Sequence, residues 1–483
     1  RQTVENFAPK IRAITKNTAI YRQIFLDQSG VVWIASNFGA VRLARSDRLF
    51  DHYLEGGSEY CSNIYCSTRG MAEDDAGNIY FSYYNSIHVL NPGTDNLRPL
   101  FPLNDFFNYP FGLTYFDGAL YTGNGKRIDL QTLRVKDILR KPEKDLGHVV
   151  PAPDSTLWMG YLHWLYRYDP ATQALSEFED QAGRWDSLDG NISYLHVSRL
   201  DSTLWVGTLN NGLHEIQPGL GRYRHFSTAK DSPLPFGGNQ VNAIYEGSAG
   251  RLWVGTDAGL HCLLPGRDSL AIYTEAEGLA NPFINGILPE GDSCLWVSTN
   301  NGLSRFSLRT KRAVNFYAED GLSANEFNRI SFHRSKAGRF YFGGLDGINA
   351  FFPGPQFIEH QQEATEAHLL LTHFSKYDVA EDTLILRNYG LDPRATVELS
   401  PWDRIFSFSF ALADYRHPLE NTYSYRLEGY EESWSPPGPQ TTVRYNNIPA
   451  GQYTFRVRAK AGANSAIWNQ RELAIPIIVH EAF

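Results

Sequence analysis

Apolar and polar residues alternate with a period of two in short runs, and Gly, Asp, Asn, Ser or Pro punctuates almost every run. The stretch 241–274 shows the pattern. VNAIYE (Val241 to Glu246) is followed by Gly247-Ser-Ala-Gly250, RLWVGT, Asp257-Ala-Gly259, LHCLL, Pro265-Gly-Arg-Asp268 and LAIYT. Four short strands separated by turn residues predict a four-stranded antiparallel sheet. Alternation places Leu252 and Val254 on the face opposite Trp253, so this sheet is apolar on both faces and must be covered on both. No 3.6-residue period accompanies the runs, which argues against helical repeats.

The unit recurs. LWVGTLNNGL (from Leu204), LWVGTDAGL (from Leu252) and LWVSTNNGL (from Leu295) are strong copies. Weaker ones are VWIASNFGA, IYFSYYNSI, LYTGNGKRI, LWMGYLHWL and FYFGGLDGI. Their anchor aromatics are Trp33, Tyr80, Tyr121, Trp158, Trp205, Trp253, Trp296 and Tyr341, spaced by 47, 41, 37, 47, 48, 43 and 45 residues. A period in the forties with strands in every unit predicts a β-propeller. Eight units lie between about Ile20 and Pro353, so one eight-bladed ring is the direct reading. A seven-bladed ring plus a stray unit is the alternative. The propeller is expected over 1–355.

The repeat ends at FFPGPQF, and a polar stretch over 356–366 reads as a linker. Strand patterns resume over 367–483 without the propeller phrase: LLLTHF, DTLILR, ATVELS, RIFSFSFALADY, YSYRLEGY, TVRYNNI, QYTFRVRAKA and ELAIPIIV. About eight strands with Pro-Gly turns predict a β-sandwich of immunoglobulin type, with Trp434 and Trp468 as core or corner residues. The fold class is therefore all-β.

Composition narrows the function. The net charge is −9, from 44 Lys and Arg against 53 Asp and Glu, and basic residues nowhere run beyond a pair, which argues against a nucleic-acid surface. Cys262 and Cys294 lie inside strand patterns and read as small core residues of adjacent blades. Cys61 and Cys66 are either a local bridge or two thiols. No run approaches 18 apolar residues, so nothing here spans a membrane as a helix, and no leader peptide is seen. Residue 1 is Arg, which reads as a trimmed product.

The repeat resembles the two-component regulator propeller repeat, roughly I-x-x-D-x-x-G-x-L-W-I-G-T-x-x-G-L. Asp27, Gly30 and Trp33 match it, as do Asp75, Gly77 and Tyr80, and Gly250, Leu252, Trp253, Gly255, Thr256, Gly259 and Leu260. The C-terminal part resembles the triple-tyrosine domain through Tyr415, Tyr425, Tyr445 and Tyr453, with Trp434, Gly451 and Trp468 in step. The resemblance implies the periplasmic sensor half of a hybrid two-component system, homodimeric in the full-length protein. The membrane helix and histidine kinase would follow outside this chain, which ends at HEAF. Many such sensors carry two rings of units, whereas the eight units here suffice for one.

No GxSxG, HExxH, phosphate loop or dinucleotide fingerprint is present, so no catalytic residue, metal ligand or cofactor is expected. The repeated carboxylates Asp27, Asp75, Asp257 and Asp346 read as turn residues. Binding is expected on the face that carries the turn after each Trp strand, because that face also surrounds one mouth of the central channel. Planar amides suit sugar hydroxyls and exposed aromatics suit sugar faces. The candidates are Trp164, His163, Tyr161, Tyr84, Asn85, Asn210, Asn211 and Asn301. Trp164 and Tyr84 put large rings where the repeat has small turn residues, although asparagines at turns also arise from their tolerance of left-handed backbone. The expected ligand is an oligosaccharide or glycan fragment. The alternative is a propeller scaffold for protein–protein assembly.

Overall fold

The computed structural model describes residues 21–26, 32–37, 39–43, 49–54, 67–83, 86–101, 110–139, 147–178, 190–217, 220, 222–248, 250–266, 268–357, 367–378, 383–388, 396–414, 421–461, 468–469 and 471–481. They form two compact units, 48–353 and a second made of 1–47 with 354–483. Among the described residues the earliest strand of the first unit is Asp51–Tyr53.

Among the described residues the first unit contains seven four-stranded antiparallel sheets. They are blade 1 (70–99), blade 2 (113–137), blade 3 (148–177), blade 4 (192–226), blade 5 (241–273), blade 6 (284–316) and blade 7 (327–351). Blade 7 has only three strands of its own, and Asp51–Tyr53 supplies its fourth by pairing Tyr53 with Ile348 and Asp51 with Ala350. Chain from before the first blade thus closes the ring. The eighth repeat, around Trp33, is a three-stranded sheet outside it. The direct count of eight is corrected to seven because Asp51–Tyr53, the next strand after that unit, belongs to blade 7.

The anchor aromatics explain the closure. Trp205 packs with Val241, Ile244, Leu252 and Val254 of the next blade. Trp253 packs with Ile284, Ile287, Leu295 and Val297, and Trp296 meets Phe351 at 4.6 Å. Trp205, Trp253 and Trp296 are 0, 1 and 0% exposed. Tyr341 continues the series onto blade 1, Tyr80 onto blade 2, Tyr121 onto blade 3 and Trp158 onto blade 4. Leu252 and Val254 face blade 4 while Trp253 faces blade 6, as alternation requires. Cys262 and Cys294 are buried free thiols of blades 5 and 6. Cys61 and Cys66 lie outside the described residues.

A polar belt joins the innermost strands. In blades 4, 5 and 6 one bulged residue interrupts the ladder: Ser193, Asn242 and Asn285. Each side chain donates to a carbonyl of the next blade. Ser193 bonds to Val241 O, Asn242 to Ile284 O at 2.8 Å and Asn285 to Phe327 O at 2.9 Å. Asn328 of blade 7 continues with three acceptors, Ser67 Oγ, Thr68 O and Gly344 O, at 2.9, 3.0 and 2.8 Å.

In the second unit, two four-stranded sheets enclose a core of Phe374, Phe406, Phe408, Phe410, Tyr423, Tyr445, Phe455 and Val457. Ile405–Leu412 alternates half-buried and buried residues along its whole length. Tyr445 donates to Glu431 at 3.2 Å and Tyr453 to Pro449 O at 3.0 Å. Tyr415 lies outside the described residues. Trp434 and Trp468 are half-buried rather than core. Arg458, whose neighbours Val457 and Ala459 face the core, points away from it with its guanidinium 4.3 Å from one indole and 4.1 Å from the other. A cation stacks there better than in an apolar interior.

Trp253→Ala should lower unfolding stability by about 3–5 kcal/mol. Asn328→Ala should cost about 1–3 kcal/mol, since it strands buried carbonyls. Urea melts of the chain check both, and an unchanged midpoint for Trp253→Ala contradicts its place between blades.

Candidate ligand-binding site

The turns after the anchor strands are built alike. Thr208, Thr256 and Thr299 accept backbone N–H bonds from Asn211, Ala258 and Asn301 through Oγ1 at 3.0, 3.0 and 3.1 Å. The same hydroxyls donate to the carbonyls of Gly212, Gly259 and Gly302. The glycines take φ of 75°, 128° and 105°, which a larger residue avoids. Each turn also docks onto chain leading into inner strands: Leu209 N–H bonds to Asn191 O, Gly212 N–H to Asn239 O and Asn300 N–H to Phe283 O. The expected shared face exists, and it surrounds one mouth of the channel.

Blade 3 departs from the rule. In its turn Tyr161, Leu162, His163 and Trp164 occupy the places of Thr256, Asp257, Ala258 and Gly259, with Tyr161 paired to Trp164 as Thr256 is to Gly259. The left-handed position moves to Leu162, at φ 52°. That shift frees the glycine position to carry Trp164, which is 37% exposed with its ring 4.7 Å from the exposed His163.

The other candidates fall differently. Tyr161 is buried, because alternation turns it into the blade, and it offers no surface. Asn210 is exposed and Asn211 half-buried on blade 4, beside blade 3. Asn211 is partly a turn residue, its carbonyl accepting from His225 Nε2 at 2.6 Å. Asn301 is exposed on blade 6, away from the others. Tyr84 and Asn85 lie outside the described residues. Asp257 accepts from Gln240 N–H at 3.2 Å, as a turn carboxylate should. In blade 1 that role belongs to Asp74, which accepts from Ala76 and Asn78 N–H at 2.9 Å each, whereas exposed Asp75 meets Tyr115 Oη at 2.7 Å. Among the described residues no group of three or more metal-ligating side chains occurs.

The sequence reading missed the channel itself. His148 of blade 3 stacks on Tyr194 of blade 4 at 4.3 Å, and Tyr194 stacks on Phe332 of blade 7 at 6.0 Å. Blades 4 and 7 are not neighbours, so these rings meet across the channel. His148 Nδ1 accepts the Leu195 N–H at 3.1 Å. Burial, aided by the neighbouring His196, holds the His148 pKa down at about 4. Toward the turn face lie two half-buried arginines, Arg69 and Arg329. The signal that could have located this region is a second repeating phrase, VNAI, INGI and FNRI, at the start of the inner strands of blades 5, 6 and 7. On the opposite face a cavity of about 340 Å³ lies between blades 3 and 4, lined by Asp154, Trp158, Arg167, Asp201 and Gln217.

His148 and His261 set a pH dependence. His261 Nε2 accepts the Gly237 N–H at 2.9 Å, its Nδ1 lies 3.1 Å from Gly259 O, and burial lowers its pKa to about 4. Between pH ~6.5 and ~4 the unfolded imidazole holds a proton that the folded one refuses, so stability falls as pH drops through that window. For the fully buried His261 the loss is of order 3 kcal/mol. Melting curves from pH 7 to 5 should decline for the native chain and decline less for His261→Gln. Parallel profiles would contradict the assignment.

The two-component regulator propeller family matches residues 235–258, and the Y_Y_Y domain family matches residues 414–480. Histidine kinase P4 of Formosa agariphila is 26% identical over 385 residues, which is 68% of this chain and 27% of that protein. The extracellular domain of BT3049 from B. thetaiotaomicron, assigned as a hybrid two component system, superposes with a TM-score of 0.75 at 21% identity. That match covers 95% of this chain and 61% of that one. The chain thus spans about a quarter of the curated relative's length. By these matches the chain is similar to two-component regulator propellers through residues 235–258 and to Y_Y_Y domains through residues 414–480, and it shares its fold with the BT3049 extracellular domain.

Proposed function

We propose that this chain is the periplasmic sensor ectodomain of a two-component-type regulator. It binds an oligosaccharide or similar ligand on the turn face of the propeller. The signal passes through the C-terminal sandwich to a membrane helix and histidine kinase outside this chain. The observation that carries the binding reading is the blade 3 turn, where the glycine position is given up to expose Trp164 beside His163. The aromatic stack across the channel supports a ligand that docks at the mouth rather than one that passes through.

A glycan array followed by titration of the best binder tests this. Trp164→Ala should weaken binding by about 2 kcal/mol, roughly 30-fold, with the melting temperature unchanged. Unchanged affinity with a lowered melting temperature makes Trp164 a packing residue and moves the search to the cavity between blades 3 and 4. A chain that binds no glycan but captures a protein partner through the turn face is a scaffold.

Dimerisation is assigned to the sandwich, since the kinase helices that follow it must meet and a membrane tether raises effective concentration. Cysteines placed on the sandwich of the full-length protein should crosslink efficiently. Efficient crosslinking only through the propeller rim would reverse the assignment.

A further inference from the structure

The bulges that carry the polar belt are alike in blades 4, 5 and 6 and different in blade 7. In blade 5, for example, Asn242 alone interrupts a ladder that continues from Val241–Thr256 to Ala243–Gly255. In blade 7, Phe327 pairs with Gly344 and Phe332 with Phe342, so residues 328–331 stand opposite Gly343 alone. Within that loop Ile330 is buried and holds φ at 54°. A β-branched residue takes this conformation only when its surroundings impose it, at a cost of about 1–3 kcal/mol.

The surroundings are on the page. Asn328 is pinned by its three acceptors, and Ser331 Oγ donates to Thr68 Oγ1 at 2.9 Å. Between these two anchors the loop displays Arg329. Thr68, which both anchors touch, is followed by Arg69 on blade 1. Gly70 pairs with Ser82 at the level where His148 pairs with Gly160 and Tyr194 with Gly207. Arg69 therefore sits one residue nearer the turn face than the stacked rings.

Both arginines are half-buried. Among the described residues the Arg329 side chain makes no hydrogen bond or ion pair. Burial, together with the like charge of Arg69, draws its pKa below the ordinary arginine value. An arginine drawn partly out of water with no partner of its own destabilises a fold unless something offsets it. Here a strained loop is spent on displaying Arg329 beside Arg69.

We infer that this channel mouth is an oxyanion site, in which Arg329 and Arg69 receive a carboxylate or sulfate group of an acidic oligosaccharide over the floor formed by His148, Tyr194 and Phe332. The planar guanidinium fork suits such groups bidentately, and an aromatic floor suits the sugar ring that bears them. This rests on the glycan-binding reading above and narrows it to acidic sugars.

The test titrates the whole chain and Arg329→Gln with four probes: sodium sulfate, trigalacturonate, a sulfated chondroitin disaccharide and neutral cellotriose. The uronate and sulfate probes distinguish the two sources of the anion. At least one acidic sugar should bind, lose affinity as salt rises, and bind about tenfold or more weakly to Arg329→Gln, whose melting temperature should not fall. The inference is overturned if Arg329→Gln keeps full affinity, if it melts earlier without losing affinity, or if no anionic probe binds. Cellotriose binding with the acidic sugars silent would sink the oxyanion site and leave the glycan reading standing. Sulfate bound through Arg329 with every sugar silent would do the reverse.

Discussion

A sheet that is apolar on both faces cannot stand alone, and this one constraint organises the propeller unit. Each blade offers an anchor aromatic to the blade after it and turns the apolar residues beside that anchor to the blade before it. A linear row would leave two outer blades uncovered, so the row must close. Asp51–Tyr53 completes blade 7 and brings chain from before blade 1 into the last sheet. The sheet around Trp33 shows the constraint unmet: it has three strands, Trp33 is only half-buried, and Ile24, Phe25 and Leu26 are exposed.

Apolar packing fixes the flanks of the blades, but inner strands of neighbouring blades do not share a ladder. The bulged asparagines bridge them. A bulge frees one residue from its own ladder, and an asparagine amide is long enough to reach the carbonyl next door. A buried donor of this kind is worth most where its loss would strand an acceptor. Asn328, with three acceptors on blades 1 and 7, secures the junction that ring closure makes most demanding. The stacked rings of His148, Tyr194 and Phe332 add a contact across the channel to the bonds that the belt makes around it.

Much of this was legible in the sequence. The forty-odd-residue period, the burial of Trp205, Trp253 and Trp296, the turn face and the two-layer C-terminal unit all follow from alternation and turn residues, which are local signals. What the sequence concealed was non-local. The number of blades depends on which strand completes blade 7, and Asp-His-Tyr at 51–53 carries no mark of its destination. The places of Trp434 and Trp468 turned on a cation between them, since apolar character alone reads as core. The channel residues His148, Tyr194 and Phe332 come from three blades, and no spacing along the chain announces that they meet.

The repeat also explains where individuality can enter. In the regular turns a threonine hydroxyl and a left-handed glycine hold the backbone, and residues between them, such as Asp257 and Asn300, add bonds to the chain entering the inner strands. Blade 3 departs from this. Replacing Thr256's counterpart by Tyr161 removes the hydroxyl that holds the regular turn, and the left-handed residue moves two places back to Leu162. Trp164 then stands at a position that is glycine in the neighbouring copies. A second departure, the long bulge in the inner strand of blade 7, opens at the same face. Both place large or charged side chains where the repeat prescribes small or neutral ones. Both carry an uncommon backbone conformation at a β-branched or branched aliphatic residue, Ile330 or Leu162. Packing between blades requires neither, so it is at that face, rather than within the regular blades, that this chain departs from its own repeat.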